Sequence, residues 1–251
     1  MIQRILKSFL IPSDEFIFGF ADLRGLLINK FDGYKYGISI GKRLDNKIVD
    51  NLDNGPTLEY YDHYNQINKE LEDLSVKIQS ELNRIGFNSF AIKPTISKGS
   101  EGYDEYMETL SYDISHKMVA TRAGLGWIGK TDLFVSEKFG PRLRLVTILL
   151  KDNPGHSSVP VNESRCGKCN ICVARCPAKA ANGKLWNINI HRDQFFNALK
   201  CKEMCGELAR QRLNVDERIC GLCVRVCPYG FTPYPDSFWD PSGGTLHLNT
   251  V

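Results

Sequence analysis

Cys166-Gly-Lys-Cys169-Asn-Ile-Cys172-Val-Ala-Arg-Cys176-Pro177 is the stretch on which the reading of this chain turns. Its spacing, C-x2-C-x2-C-x3-C-P, is the bacterial ferredoxin run for a [4Fe–4S] cluster. A second run, Cys220-Gly-Leu-Cys223-Val-Arg-Val-Cys227-Pro228, repeats the pattern without its first cysteine. Three thiolates within seven residues let a tight loop wrap one face of a cubane. The x3 gap carries the fourth cysteine a turn further, and in two-cluster ferredoxins that cysteine ligates the other cluster. Cys166, Cys169, Cys172 and Cys227 are therefore expected to hold one cluster, and Cys176, Cys220 and Cys223 three corners of a second. The remaining corner falls to Cys201 or Cys205, between the two runs. Four thiolates for each of two clusters, against nine cysteines in the chain, leave one spare.

Other uses of these cysteines explain less. Zinc sites favour paired C-x2-C arms, which leaves two C-P endings after x3 gaps without a reason. A disulfide framework suits a short secreted chain. Here no cysteine precedes Cys166, and the start, Met1-Ile-Gln-Arg-Ile-Leu-Lys7, is too short and polar for a secretory signal. No apolar run is long enough to span a membrane. Reduced cysteines holding iron point to the cytoplasm. With 251 residues, 42% hydrophobic and 24% charged, the chain can bury a sizeable core. A net charge of +3 is too small to argue for nucleic acid.

Outward from the cysteines, the chain reads as α+β. An N-terminal α/β domain, residues 1–155, is expected to bind cofactor and substrate. A ferredoxin-like double-cluster domain, residues 156–251, follows. Phe16–Ala21 and Tyr36–Gly41 read as strands, and Asp45–Leu52 as a short helix stopped by Asn54-Gly-Pro56. Tyr64, Ile67, Leu71, Leu74, Ile78 and Leu82 recur at helical steps, predicting a long helix from about Tyr60 to Ile85 with Gly86 at its C-terminal cap. Phe87–Pro94, Leu133–Val135 and Leu143–Leu150 read as further strands, and Asp113–Thr121 as a helical stretch. His191–Arg212 reads as a helix that puts Cys201 and Cys205 one turn apart. The aromatic and proline-rich Tyr229–Trp239 reads as a strap packed on the surface.

Arg122-Ala-Gly-Leu-Gly-Trp-Ile-Gly-Lys130 places three glycines within six residues, as where backbone must approach a ligand closely. With Thr131 it matches the string G-x4-G-K-[ST]. It lacks the strand before it and the small loop residues that a phosphate-cradling loop needs.

This segment, the cysteine run about thirty-five residues on, a lone cysteine and the closing C-x2-C-x3-C-P together resemble the epoxyqueuosine reductases, cobalamin-dependent enzymes related to reductive dehalogenases. The resemblance covers roughly residues 105–230. It implies that the N-terminal domain holds base-off cobalamin against the cluster domain, and that electrons pass through two [4Fe–4S] clusters to the cofactor. It also implies cofactor-pocket roles for Gly124, Gly126, Trp127, Ile128 and Gly129, and it makes Cys201 the eighth ligand. Aligned without gaps, the family's proton-donating acid falls on Leu110, so Asp113, His116 and Tyr112 are the candidate substitutes. Full-size members continue into helical repeats that help hold tRNA. This chain stops at Val251, so it looks like a short form: its substrate is a small molecule or modified nucleoside, and tRNA is not supported by the short C-terminus. The expected electron donor is a flavodoxin or ferredoxin. The alternatives are an electron-transfer protein, or a cobalamin-reducing accessory protein without substrate chemistry of its own.

Overall fold

The computed structural model describes residues 1–96, 98–156 and 158–230. The expected strap beyond Gly230 lies outside the described residues.

The sheet is built from residues whose side chains alternate between two buried faces. Strands β1 (Phe16–Asp22), β2 (Tyr36–Arg43), β3 (Ser89–Ile92) and β6 (Leu143–Leu150) run in the order β1-β2-β6-β3, every neighbour antiparallel. The register sets Phe18 and Phe20 against Ile40 and Ile38, and these against Val146 and Ile148. That apolar stripe meets the long helix α3 (Leu58–Arg84), which buries Ile67, Leu71, Ile78 and Leu82 against it. Each such aliphatic side chain stabilises the fold by about 1.5–3 kcal/mol. Thr57 caps α3 by accepting from the Tyr60 amide. Helix α1 (Ile2–Phe9) packs Ile2 and Leu6 into the same core. Nothing in the sequence pattern marks it, because eight residues show too few turns of periodicity. Helix α2 (Asn46–Asp50), capped by Asp45, follows β2 as expected.

The opposite face of the sheet is paved differently. Gly19 and Gly37 sit there, and a Cβ on Gly19 would lie 2.7 Å from the Ala123 carbonyl oxygen. Their bareness lets α5 (His116–Arg122) lie close against the strands, with Val119 and Ala123 buried beside Leu23 and Leu149. Between α3 and α5 runs α4 (Tyr103–Thr109), a short helix ended by Leu110 in the left-handed conformation. After α5 the chain enters a hairpin, β4 (Gly126–Ile128) with β5 (Phe134–Ser136). The glycine-rich segment is thus a buried strand, which also removes it from consideration as a phosphate loop.

The cysteine-bearing segment carries two short helices, α6 (Ile171–Ala174) and α8 (Leu222–Arg225), each just past the first cysteines of its run. Both runs open with a glycine in the left-handed region, Gly167 at φ +51° and Gly221 at φ +85°, so the chain turns sharply after Cys166 and Cys220. Between them lies α7 (Ala198–Leu213), which carries Cys201 and Cys205. The expected helix began at His191, but residues 191–197 form a 3₁₀ turn capped by His191 and a break at Asn197 before α7 starts. Among the described residues no helix is long and apolar enough to cross a membrane.

Candidate functional site

The nine cysteines are all unpaired and half-buried. Their mutual influence sorts them into two sets. Burial drives the Cys227 thiol upward, and Cys166, Cys172 and Cys169 reinforce it, although the Tyr229 amide donates to its sulfur. Cys172 is pushed up to about 11 by burial and then by Cys166 and Cys169. These four define one set. Cys223 is raised by burial and then by Cys220, Cys201, Cys172 and Cys176, which gathers the second set and places it next to the first. Burial first, and neighbouring sulfurs second, disfavour the thiolate form at these positions, the condition that a cation held among them would reverse. Among the described residues no three His, Cys, Asp or Glu side chains converge on a single-ion site. The sets are therefore defined by mutual proximity, not by single-ion geometry.

Cys201 and Cys205 both face Cys220. Their sulfurs are 3.8 Å apart. Hydrogen bonding with Cys201 and Cys220, then burial, drives Cys205 upward. Its hydrogen bond lowers Cys201 and brings Cys220 down to about 7. Cys205 is thus favoured as the protonated partner, with one S–H to share between the Cys201 and Cys220 sulfurs.

The segment after α5 braces the first set. Trp127, buried, points its indole at it, and Nε1–H donates to Cys166 Sγ at 3.4 Å. The Tyr229 ring meets Trp127 edge-on at 4.9 Å. Thr131 donates to the Cys172 sulfur. Lys130 is only 3% exposed and spends its ammonium on the Cys169 carbonyl at 2.9 Å and Asn170 Oδ1 at 2.8 Å. A lysine suited by sequence to phosphate is committed instead to holding the cysteine loop. Donors to cluster sulfurs of this kind raise a cluster's potential, because the reduced state carries more negative charge.

A cavity of about 850 Å³ opens beside the second set, walled by α5, β6 and the loop before α5, and closed from the cluster side by Trp186, Ile188 and Arg192. Ile128, Leu133 and Phe134 form an apolar floor. Ile128 and Phe134 also pack in the cluster of side chains that holds Cys176 and Cys201. Asp132, held at φ +58° in the β4–β5 turn, lines the cavity and pairs with Lys117 at 2.5 Å. Both act electrostatically on Cys201. The pair was not legible in the sequence, since nothing in Lys130-Thr131-Asp132 signals that the turn points into a cavity.

Of the residues expected to form the cofactor pocket, only Ile128 lines this cavity. Trp127 lies at the first cysteine set, alternating with Ile128 along β4. Gly126 is pressed against the backbone of β5, Gly129 lies near the Cys166 sulfur, and Gly124 meets Val159. Of the candidate acids, Tyr112 lines the cavity and is 41% exposed. Asp113 is ion-paired with Lys30 at 2.8 Å and is not among the lining residues. His116 lines the cavity with both ring nitrogens engaged. Its Nε2–H donates to the Lys93 carbonyl at 2.9 Å, and Nδ1 accepts from the Thr147 hydroxyl at 2.8 Å. Burial lowers it to about 4, so the ring is neutral near pH 7.

An antiparallel α+β domain joined to a module with two cysteine sets defines an iron–sulfur protein with a cavity at the junction. Residues 165–230 match the family described as a 4Fe-4S double cluster binding domain. The chain is similar to the epoxyqueuosine reductases: it is 26% identical to that of Pseudomonas aeruginosa over 168 residues, 67% of this chain and 41% of the relative. It thus spans about two fifths of the length of that curated relative. Its fold matches a solved epoxyqueuosine reductase from Streptococcus thermophilus with TM-score 0.55 and 18% identity, covering 91% of this chain and 65% of the other. It also matches a reductive dehalogenase described as suggesting a mechanism for B12-dependent dehalogenation, with TM-score 0.61 and 14% identity over 86% of this chain and 30% of the other.

Proposed function

We propose that this chain is an iron–sulfur reductase in which two [4Fe–4S] clusters serve a corrinoid seated in the junction cavity. The observation that carries the reading is the adjacency of the second cysteine set to the cavity floor, through Cys201, Ile128 and the Lys117–Asp132 pair. Cys166, Cys169, Cys172 and Cys227 hold the first cluster, and Cys176, Cys201, Cys220 and Cys223 the second, with Cys205 as the spare thiol that donates to it. The similarity to epoxyqueuosine reductases and to a B12-dependent dehalogenase fold supports the choice of cofactor.

The cavity suits a large, flat, amide-rimmed group. Its volume is near the upper end for small-molecule sites. Its floor is apolar and its walls carry hydroxyls from Thr95, Ser111 and Ser115. His116, the one histidine among the lining residues, has both nitrogens occupied, which suits a cobalt without a protein histidine ligand. When bound, a corrinoid supplies the bond-breaking chemistry that protein side chains lack. Ile128, Leu133 and Phe134 exclude water from the floor. Gly126 lets β4 press against β5, Gly129 keeps the following turn close to the Cys166 sulfur, and Gly124 admits the Val159 backbone. Lys117 Nζ, paired with Asp132, can hold a proton at the cavity wall, and the Tyr112 hydroxyl can do so at its mouth; Asp113 flanks that mouth, where it anchors Lys30. A modified nucleoside or small molecule fits as substrate, with a flavodoxin or ferredoxin as electron donor in a reducing cytoplasm.

Anaerobic reconstitution with iron and sulfide, followed by incubation with cobalamin and gel filtration, tests the reading. About one corrinoid per chain, retained with a base-off absorption spectrum alongside about eight irons, is expected. Intact clusters with no corrinoid retained would overturn it in favour of an electron carrier.

A further inference from the structure

The cavity is lined by five cationic side chains and a single carboxylate, Asp132, among the described residues. Four of the five are accounted for. Lys117 pairs with Asp132, Lys93 with Glu72 at 3.2 Å, and Arg192 with Asp193 at 2.9 Å. Arg122 donates to the Val161 carbonyl at 2.7 Å and to Asn162 Oδ1 at 2.8 Å, tying α5 to the cluster domain. Arg144 differs. It rises from β6 with its guanidinium 4.1 Å from the centre of the Tyr64 ring, and Nε donates to Asn68 Oδ1 at 2.9 Å. These contacts orient the fork and leave both terminal nitrogens with no acceptor among the described residues. Tyr106 shares the corner: burial raises its phenol, and Arg144 and Arg192 act on it. Its hydroxyl therefore stays a donor at neutral pH.

A guanidinium held rigid by stacking, with its planar pair of donors unspent in a partly desolvated wall, matches a bidentate oxyanion. We propose that Arg144, backed by Tyr64 and Asn68 and flanked by Tyr106 and Arg192, forms an oxyanion subsite for a phosphate or carboxylate group on the molecule reduced in the cavity. This rests on the cavity being the substrate site of a reductase, and it deepens that reading by giving the substrate an acidic group. Arg144 would set the substrate's orientation at the cavity wall, leaving the apolar floor to the cofactor.

The test uses the full chain with reconstituted clusters and no corrinoid, titrated calorimetrically with inorganic phosphate and separately with benzoate. Saturable binding is expected for at least one probe. Arg144→Gln should weaken it by about tenfold, the scale of one charge-assisted fork. Tyr106→Phe, which keeps the ring and its packing, should weaken it several-fold. Equal affinity in the wild type and both variants, or no saturable binding in the wild type at unchanged iron content, would overturn the proposal. Cobalamin carries a phosphodiester that cobinamide lacks, so a second arm compares retention of each by wild type and Arg144→Gln. Unchanged retention of both supports an oxyanion borne by the substrate. Loss of cobalamin alone would assign the subsite to the cofactor and overturn the substrate assignment. The phosphate and benzoate titrations need no corrinoid, so a failure of the reductase reading registers separately.

Discussion

Replacing Cys201 and Cys205 one at a time by alanine separates a cluster ligand from its neighbour. Both lie on the same side of α7, sulfurs 3.8 Å apart, and both face Cys220. Cys205 is driven up and Cys201 and Cys220 are driven down, so the Cys205 thiol is the donor, with one S–H to offer to either of the other two. Cys201→Ala removes one corner of the second cluster, and iron should fall from about eight to about four atoms per chain. Cys205→Ala should keep about eight. It also deletes a donor to a ligand sulfur, and such a donor favours the reduced state because that state is more negative. If the bond is worth about 1.4 kcal/mol more in the reduced state, its loss lowers the second cluster's potential by about 60 mV for one electron. Iron and labile-sulfide assays after anaerobic reconstitution read the first effect, and a redox titration followed by electron paramagnetic resonance reads the second. Equal iron loss in both variants, or loss confined to Cys205→Ala, refutes the ligand assignment. An unchanged potential in Cys205→Ala refutes the direction of the hydrogen bond.

Two further outcomes follow from single contacts. Trp127→Phe keeps the buried ring but deletes the Nε1–H donor to Cys166. The first cluster's potential should drop by some tens of millivolts, about half to all of the figure above, with iron content unchanged, and a titration showing no drop would rule out the contact as a tuning device. His116 titrates well below its ordinary value because it is buried neutral. As pH falls through about 6.5 the unfolded chain takes up a proton that the folded one refuses, so stability declines toward acid by about 1 kcal/mol between pH 7.5 and 5.5. His116→Gln should lose that part of the slope in urea denaturation, and identical slopes in variant and wild type would count against a buried neutral ring.

The sequence by itself determined what is local. Cysteine spacing grouped Cys227 with the first run, because the x3 gap carries it past the cube that Cys220 and Cys223 reach, and in two-cluster ferredoxins such a cysteine ligates the other cluster. The 3.6-residue rhythm of Ile67, Leu71, Ile78 and Leu82 marked α3, and short apolar runs marked β2 and β6, since both depend only on neighbours in the chain. What lay across the fold was decided by packing. Trp127 and Ile128 look alike in the glycine-rich segment, but β4 turns one toward the Cys166 sulfur and the other toward the cavity. Lys130 matched a phosphate-binding string and is buried against the Cys169 carbonyl. His116, suited by its ordinary pKa to proton transfer, is neutralised between Lys93 and Thr147, residues 23 and 31 positions away. Arg144, on β6, is oriented by Tyr64 and Asn68, which come from α3. A side chain's chemistry is written in the sequence, but its solvation and its partners arrive from distant segments, and those set its charge, direction and use.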